Sequence, residues 1–180
     1  GGSNTTLAAV GSVFAYSYDG ISWSASAGIT NGMTSCNGIC WNGTMFVAVG
    51  GTTVATAFGY SYDGINWLAS SGVSTITTGK CVTWNGTLFV AGGTNTSLNI
   101  GNVFAYSING ITWTASAGIS GGMTNCNSIC WNGSMFVAVG NISFTSTSTV
   151  FGYSYNGITW TGGITSPSIT TGICVVWNGT

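Results

Sequence analysis

Two short phrases recur four times each along this chain, at a spacing few architectures can use. The first runs Ser17-Tyr18-Asp19-Gly20-Ile21-Ser22-Trp23, then Ser61-Tyr62-Asp63-Gly64-Ile65-Asn66-Trp67, then Ser107-Ile108-Asn109-Gly110-Ile111-Thr112-Trp113, then Ser154-Tyr155-Asn156-Gly157-Ile158-Thr159-Trp160. Its Trp residues are 44, 46 and 47 positions apart. The second phrase keeps the same beat at Trp41-Asn42-Gly43-Thr44, Trp84-Asn85-Gly86-Thr87, Trp131-Asn132-Gly133-Ser134 and Trp177-Asn178-Gly179-Thr180. A period in the forties, with several short strands per unit, is the pattern of a propeller blade or a related β array.

The second unit shows how a repeat divides. Residues 81–84 read as a strand, Asn85-Gly86 as a turn and 88–91 as the next strand. After a Gly/Thr/Asn-rich stretch, 104–107 and 111–114 read as two more strands around Asn109-Gly110. Asn-Gly and Asp-Gly favour two-residue hairpin turns of type I′, which need φ > 0 at both central residues. No segment carries the 3.6-residue period of an amphipathic helix. The reading is all-β: a propeller-like tandem array of four four-stranded blades of about 45 residues in one domain, 1–180. Its units span roughly 1–35, 36–78, 79–125 and 126–168. Residues 169–180 supply a closing strand, since the chain ends on a first-strand phrase and begins, at residues 4–11, on a second-strand one. Pairing of the two would complete the first blade and remove exposed edges. The rival is an open array in which these strands pair with another subunit, giving a filament.

Charge is nearly absent. The charged side chains are Asp19, Asp63 and Lys80, in a chain with 13 % aromatic residues and 30 glycines. A typical soluble domain is about 25 % charged. Nucleic acid is excluded as a partner, because neutralising phosphates takes many Lys or Arg. No apolar run is long enough for a membrane-spanning helix. The first residue is Gly1, which is read as a processed chain or part of a longer one.

The first phrase resembles the Asp-box of BNR-type repeats in sialidase-like β-propellers. It is one residue shorter between Asp and Gly than the usual box, and Asn109 and Asn156 replace the Asp in two copies. The resemblance implies a structural turn away from any catalytic centre, with Ser17, Asp19, Gly20, Trp23, Ser61, Asp63, Gly64, Trp67, Ser107, Asn109, Gly110, Trp113, Ser154, Asn156, Gly157 and Trp160 as its residues. The catalytic set that family implies, an arginine cluster with a Tyr/Glu nucleophile pair, has no counterpart in a chain without Arg or Glu. Ordinary glycosidases need two facing carboxylates. Nucleophilic triads of the Ser-His or Cys-His kind need His, which is absent. The expectation is a chain with no catalytic residues, no metal and no cofactor.

Three residue classes remain. Relative to the Trp of the second phrase, Cys36, Cys40, Cys126 and Cys130 sit at −5 and −1, and Cys81 and Cys174 at −3. All offsets are odd, which predicts one common strand face. Cys36 and Cys40 would lie about 13 Å apart along one strand, too far to bond to each other. Disulfides between neighbouring first strands are one reading and buried thiols the other. A zinc site is disfavoured, with no Cys-x-x-Cys and no His. Asn-x-Ser/Thr sequons fall at Asn4, Asn42, Asn85, Asn95, Asn132, Asn141 and Asn178, four of them at the same hairpin tip. Tyr16, Tyr18, Tyr60, Tyr62, Tyr106, Tyr153 and Tyr155 recur on the third strands, either as sheet packing or as sugar-stacking rings.

These features point to a non-enzymatic extracellular or surface glycoprotein of structural type, carrying covalent N-glycans and self-associating into a filament or coat. The alternative is a carbohydrate-binding, lectin-like propeller, or a fragment of a larger adhesin.

Overall fold

The computed structural model describes residues 6–9, 14–29, 32–52, 56–72, 75–95, 102–119, 122–142, 149–163 and 169–179. No helix occurs among them. Strands follow the repeat. The first sheet is β1 (Leu7–Ala9), β2 (Ala15–Ser17) and β3 (Ser24–Ala25). The second is β4 (Ser35–Trp41), β5 (Phe46–Gly51), β6 (Phe58–Ser61) and β7 (Leu68–Ala69), trailed by the two-residue β8 (Ser71–Gly72). The third is β9 (Thr78–Trp84), β10 (Phe89–Thr94), β11 (Phe104–Ser107) and β12 (Thr112–Ala115). The fourth is β13 (Met123–Trp131), β14 (Phe136–Ile142), β15 (Phe151–Ser154) and β16 (Thr161–Gly162). Consecutive strands within each sheet pair antiparallel, as short connections dictate. Single-residue bridges, Gly51 with Thr78 and Thr94 with Asn125, join neighbouring sheets near their first strands.

The core lies between the sheets. One apolar cluster joins the first and second sheets around Phe14, Phe46 and Trp67. A second joins the second and third around Val47, Phe58, Phe89 and Trp113. A third joins the third and fourth around Val90, Phe104, Met123, Phe136 and Trp160. The second strands β5 and β10 are therefore covered on both faces. This is why Phe46-Val47-Ala48-Val49 and Phe89-Val90-Ala91 read as continuous apolar runs instead of alternating.

One contact set repeats at every outer boundary. The Trp ending each box phrase lies on a Phe of the preceding sheet: Trp67 on Phe14 at 4.5 Å between ring centroids, Trp113 on Phe58 at 4.4 Å, Trp160 on Phe104 at 3.9 Å. Beside each stack a Ser hydroxyl of the preceding sheet donates to the box glycine carbonyl. These bonds are Ser26 to Gly64 (2.8 Å), Ser70 to Gly110 (3.0 Å) and Ser116 to Gly157 (2.9 Å). A parallel bridge accompanies each: Ala27 with Asn66, Ser71 with Thr112, Ala117 with Thr159. Trp23, with no described sheet before it, is 47 % exposed, against 2 % for Trp113.

One expectation is corrected, and another is not met among the described residues. Residues 169–179 show no pairing with β1. Among the described residues β1 has β2 as its partner, and no sheet closes on itself. The C-terminal segment lies against the fourth sheet instead: Thr171 bridges Asn141, the Gly172 N–H donates to the Gly140 carbonyl (2.8 Å), and the Val175 N–H donates to Ser128 Oγ (3.2 Å). The hairpin turns are also not two-residue type I′ turns. Register sets Tyr16 opposite Ser24 and Tyr106 opposite Thr114, so the box loops are longer than two residues. The cause is the Asx side chain, which takes up backbone N–H groups that a tight turn would pair across the strands.

Replacing the buried stacking ring in Trp113→Ala should lower unfolding stability by about 3–5 kcal/mol. Trp23→Ala, at the half-exposed copy, should cost less than half as much. Ser116→Ala, which leaves the buried Gly157 carbonyl without its donor, should cost about 1–3 kcal/mol. Urea unfolding of the three variants measures all of this.

Candidate functional site

Each box turn is built by its own side chains. In the first, the Ser17 hydroxyl donates to Asp19 Oδ1 (2.9 Å) and accepts from the Gly20 N–H (2.8 Å). Asp19 Oδ1 then accepts from the N–H groups of Ile21 (2.8 Å) and Ser22 (2.7 Å). Gly20 holds φ at 76°, which a side chain would oppose. In the Asn copies a single amide oxygen serves equally: Asn109 Oδ1 accepts from Ile111 (2.9 Å) and Thr112 (2.8 Å), and Asn156 Oδ1 from Ile158 and Thr159 (both 2.9 Å). One acceptor oxygen is all the turn requires.

Both carboxylates are held ionised by these bonds. The N–H of Ser22, then that of Ile21, then the Ser17 hydroxyl lower Asp19 to about 2. At Asp63 partial burial pushes upward most strongly, but bonds from the Asn66 backbone and side chain, Ile65 and Ser61 together outweigh it, leaving about 2. Such groups are the reverse of a poised general acid.

The second phrase makes a different Asx turn at the other hairpin. Asn42 Oδ1 accepts from the Thr44 N–H (2.9 Å), the Thr44 hydroxyl (3.0 Å) and the Met45 N–H (2.8 Å). Asn85 and Asn132 repeat all three bonds with Thr87 and Leu88, and with Ser134 and Met135. The Gly and Thr or Ser of these tips are exposed, as is Asn178. Two other sequons sit differently. Asn95 Nδ2 donates to the Asn102 carbonyl (3.3 Å), and Asn141 lies within β14 with its Oδ1 accepting from Asn127 Nδ2 (2.6 Å). Asn4 lies outside the described residues.

The box turn of each sheet docks on the tip hairpin of the sheet before it. Built-in Cβ atoms at Gly110 and Gly157 would press on Val47 and Met45, and on Val90 and Leu88. Tyrosines line this rim. Tyr18, Tyr62 and Tyr155 are exposed by 53 %, 62 % and 69 %, each edge-on to its half-buried neighbour Tyr16, Tyr60 or Tyr153 at 5.6–6.0 Å. Ile108 takes the place in the third sheet, and Tyr106 is half-buried. A shallow cleft of about 470 Å³ runs between two such turns, lined by Asn85, Thr87, Leu88, Ile108, Tyr155 and Ile158.

The cysteines do not share one face. A β-bulge between Cys36 and Gly38 places Cys36 opposite Gly50 but Cys40 opposite Val47, and the bulge after Cys126 does the same for Cys126 and Cys130. The extra residue inverts the alternation, so the two cysteines of a pair point to opposite faces. All six are thiols. Burial pushes Cys36 and Cys40 up to about 11. Burial, with Cys81 alongside, raises Cys126 well above the usual thiol range, and burial with Cys174 nearby raises Cys130. Cys174 itself is exposed. Among the described residues no group of three or more His, Cys, Asp or Glu side chains could hold a metal ion, and no helix is long and apolar enough to cross a membrane.

Sequence reasoning missed the residues that tie the sheets together. The latch serines lie three positions after the box Trp in three of the four repeats, a signal that was present in the chain. The bulge asparagines reach across near the first strands: Asn37 Nδ2 to the Gly79 carbonyl (2.8 Å) and Asn127 Nδ2 to the Gly172 carbonyl (2.7 Å). Lys80 donates to Asn127 Oδ1 (2.8 Å).

The chain matches no known protein family, and no curated protein matches it. Among solved structures it is similar to the GH74 enzyme of Niastella koreensis, a β-propeller glycoside hydrolase, with 21 % identity and a TM-score of 0.54. The match covers 92 % of this chain and 23 % of that one. The fold is β-propeller-like, with blade-like sheets. The chain spans about a quarter of the length of that enzyme.

Protonating the box carboxylates should weaken the fold. Their folded values near 2 lie below the value of about 3.9 for an unfolded Asp. Their stabilisation is therefore present above about pH 4 and lost as pH falls towards 2. Thermal unfolding of the wild type should shift downward across that window. The Asp19→Asn/Asp63→Asn double variant should keep the turns and lose this dependence.

Proposed function

We propose that this chain is a non-enzymatic extracellular scaffold whose blade tips carry N-linked glycan, and that it self-associates into a coat or filament. The observation that carries the reading is the shared geometry of the Asn42, Asn85 and Asn132 tips. In each, Oδ1 is occupied by the turn while Nδ2, the atom that bears an N-linked sugar, has no hydrogen-bond partner among the described residues. A surface with three charged side chains needs another source of hydration, and glycan supplies it. Self-association is supported by apolar side chains left outward on the C-terminal segment: Ile173, Val176 and Trp177 are 78 %, 84 % and 44 % exposed. The absence of catalysis is supported by the box carboxylates, both committed to their own turns.

Intact mass of the native protein before and after enzymatic deglycosylation, with site mapping, tests this. Sugar should map to Asn42, Asn85 and Asn132 ahead of Asn95 and Asn141, whose side chains are engaged. A mass unchanged by deglycosylation would sink the reading.

The exposed tyrosines favour a second reading, a carbohydrate-binding propeller with one shallow site per blade. A glycan array should then show weak but selective binding, reduced at least tenfold by Tyr155→Ala. A flat array removes this alternative.

A further inference from the structure

The boundary between the third and fourth blades differs from the others at one spot, and the difference makes room for two sulfurs. Three positions meet there: the residue three before the first-strand Trp, the residue facing it on the second strand, and the residue five before the next first-strand Trp. Between the second and third blades these are Gly38, Val49 and Gly79. Val49 faces Gly38, and a Cβ on Gly79 would stand 2.6 Å from Val49 Cβ. Beyond the fourth blade they are Ser128, Val139 and Gly172, with the same 2.6 Å between a built Gly172 Cβ and Val139 Cβ. Between the third and fourth they are Cys81, Gly92 and Cys126. Gly92 faces Cys81, and a Cβ built there would overlap Cys126 Sγ and stand 3.0 Å from Cys81 Sγ. The space a valine fills elsewhere is occupied by one sulfur from each blade, 3.8 Å apart.

We propose that Cys81 and Cys126 are a redox couple that closes as a disulfide stapling the third blade to the fourth. Cys36, at the strand position of Cys126, lacks such a partner: its thiol contacts the Gly38 and Val49 carbonyls, each at 3.3 Å. Cys81 is half-buried and Cys126 fully buried, so exchange begins at Cys81. The Cys81 thiolate attacks one sulfur of a low-molecular-weight disulfide such as oxidised glutathione, and one thiolate leaves. Cys126 gives its proton to solvent or to that thiolate and attacks the Cys81 sulfur of the mixed disulfide, expelling the second thiolate. The two protein thiols lose two protons and two electrons, and the external disulfide departs as two thiols.

The test uses the full chain made without glycans, so its result is separate from that of the scaffold reading. The protein is equilibrated with oxidised glutathione and mapped by non-reducing peptide mass spectrometry after the remaining thiols are alkylated. The expected product has lost two hydrogens and joins the Cys81 peptide to the Cys126 peptide. Its thermal midpoint should exceed that of the reduced protein by about 5–15 °C. Gly92→Val should abolish the link. A map in which Cys81 remains alkylatable, or is joined to another cysteine, overturns the proposal. The wild-type map decides this whether or not the Gly92→Val chain folds.

Discussion

Everything in this structure hangs on an indole ring of one blade lying on a phenyl ring of the blade before it. The stacks at Trp67, Trp113 and Trp160 are the outer anchors of three successive apolar clusters. They matter more here than in most proteins, because the chain has almost no charge with which to join one blade to the next. Neutral groups take the place of ion pairs. Serine hydroxyls bond the box carbonyls at the outer boundary, and asparagine amides bond backbone carbonyls near the first strands. A neutral donor loses less hydration on burial than a charged one, so each such bond can be made inside a boundary without a compensating partner.

The box turn is best understood as the device that aims that ring. Ser Oγ captures the glycine N–H, the Asx oxygen captures the next two N–H groups, and the glycine turns through a positive φ. The chain leaves the loop with its Trp directed at the preceding blade. Because a single oxygen performs the task, Asp and Asn are interchangeable in the turn. What the turns leave on the outside is a neutral rim of asparagine tips and tyrosine rings. The proposed glycan attachment and the alternative sugar binding both depend on that rim.

Much of this was legible in one dimension. β11 occupies 104–107 as expected, and β12 lies within a residue of 111–114, because apolar runs broken by Asn-Gly and Asp-Gly leave little choice. The bonding of each Asx side chain to its own turn was legible too, since such a side chain next to glycine has backbone N–H groups in reach. The faces of the cysteines were not. Their parity depends on bulges at Asn37 and Asn127, whose side chains bond carbonyls some forty positions away. The course of the C-terminal segment was equally hidden, since residues 171–175 are held by bonds to Gly140 and Ser128, more than thirty positions back.

By itself, then, the sequence determined the unit: which residues are strands, where hairpins turn and which rings seek cover. Those are local matters of φ/ψ preference, side-chain hydrogen bonding to nearby backbone, and apolar patterning. Only the tertiary structure decided which ring covers which, which cysteines meet, and that Gly92 is small because two sulfurs need its space. Those depend on how one sheet lies against the next, and that relation is set by contacts between residues some forty positions apart.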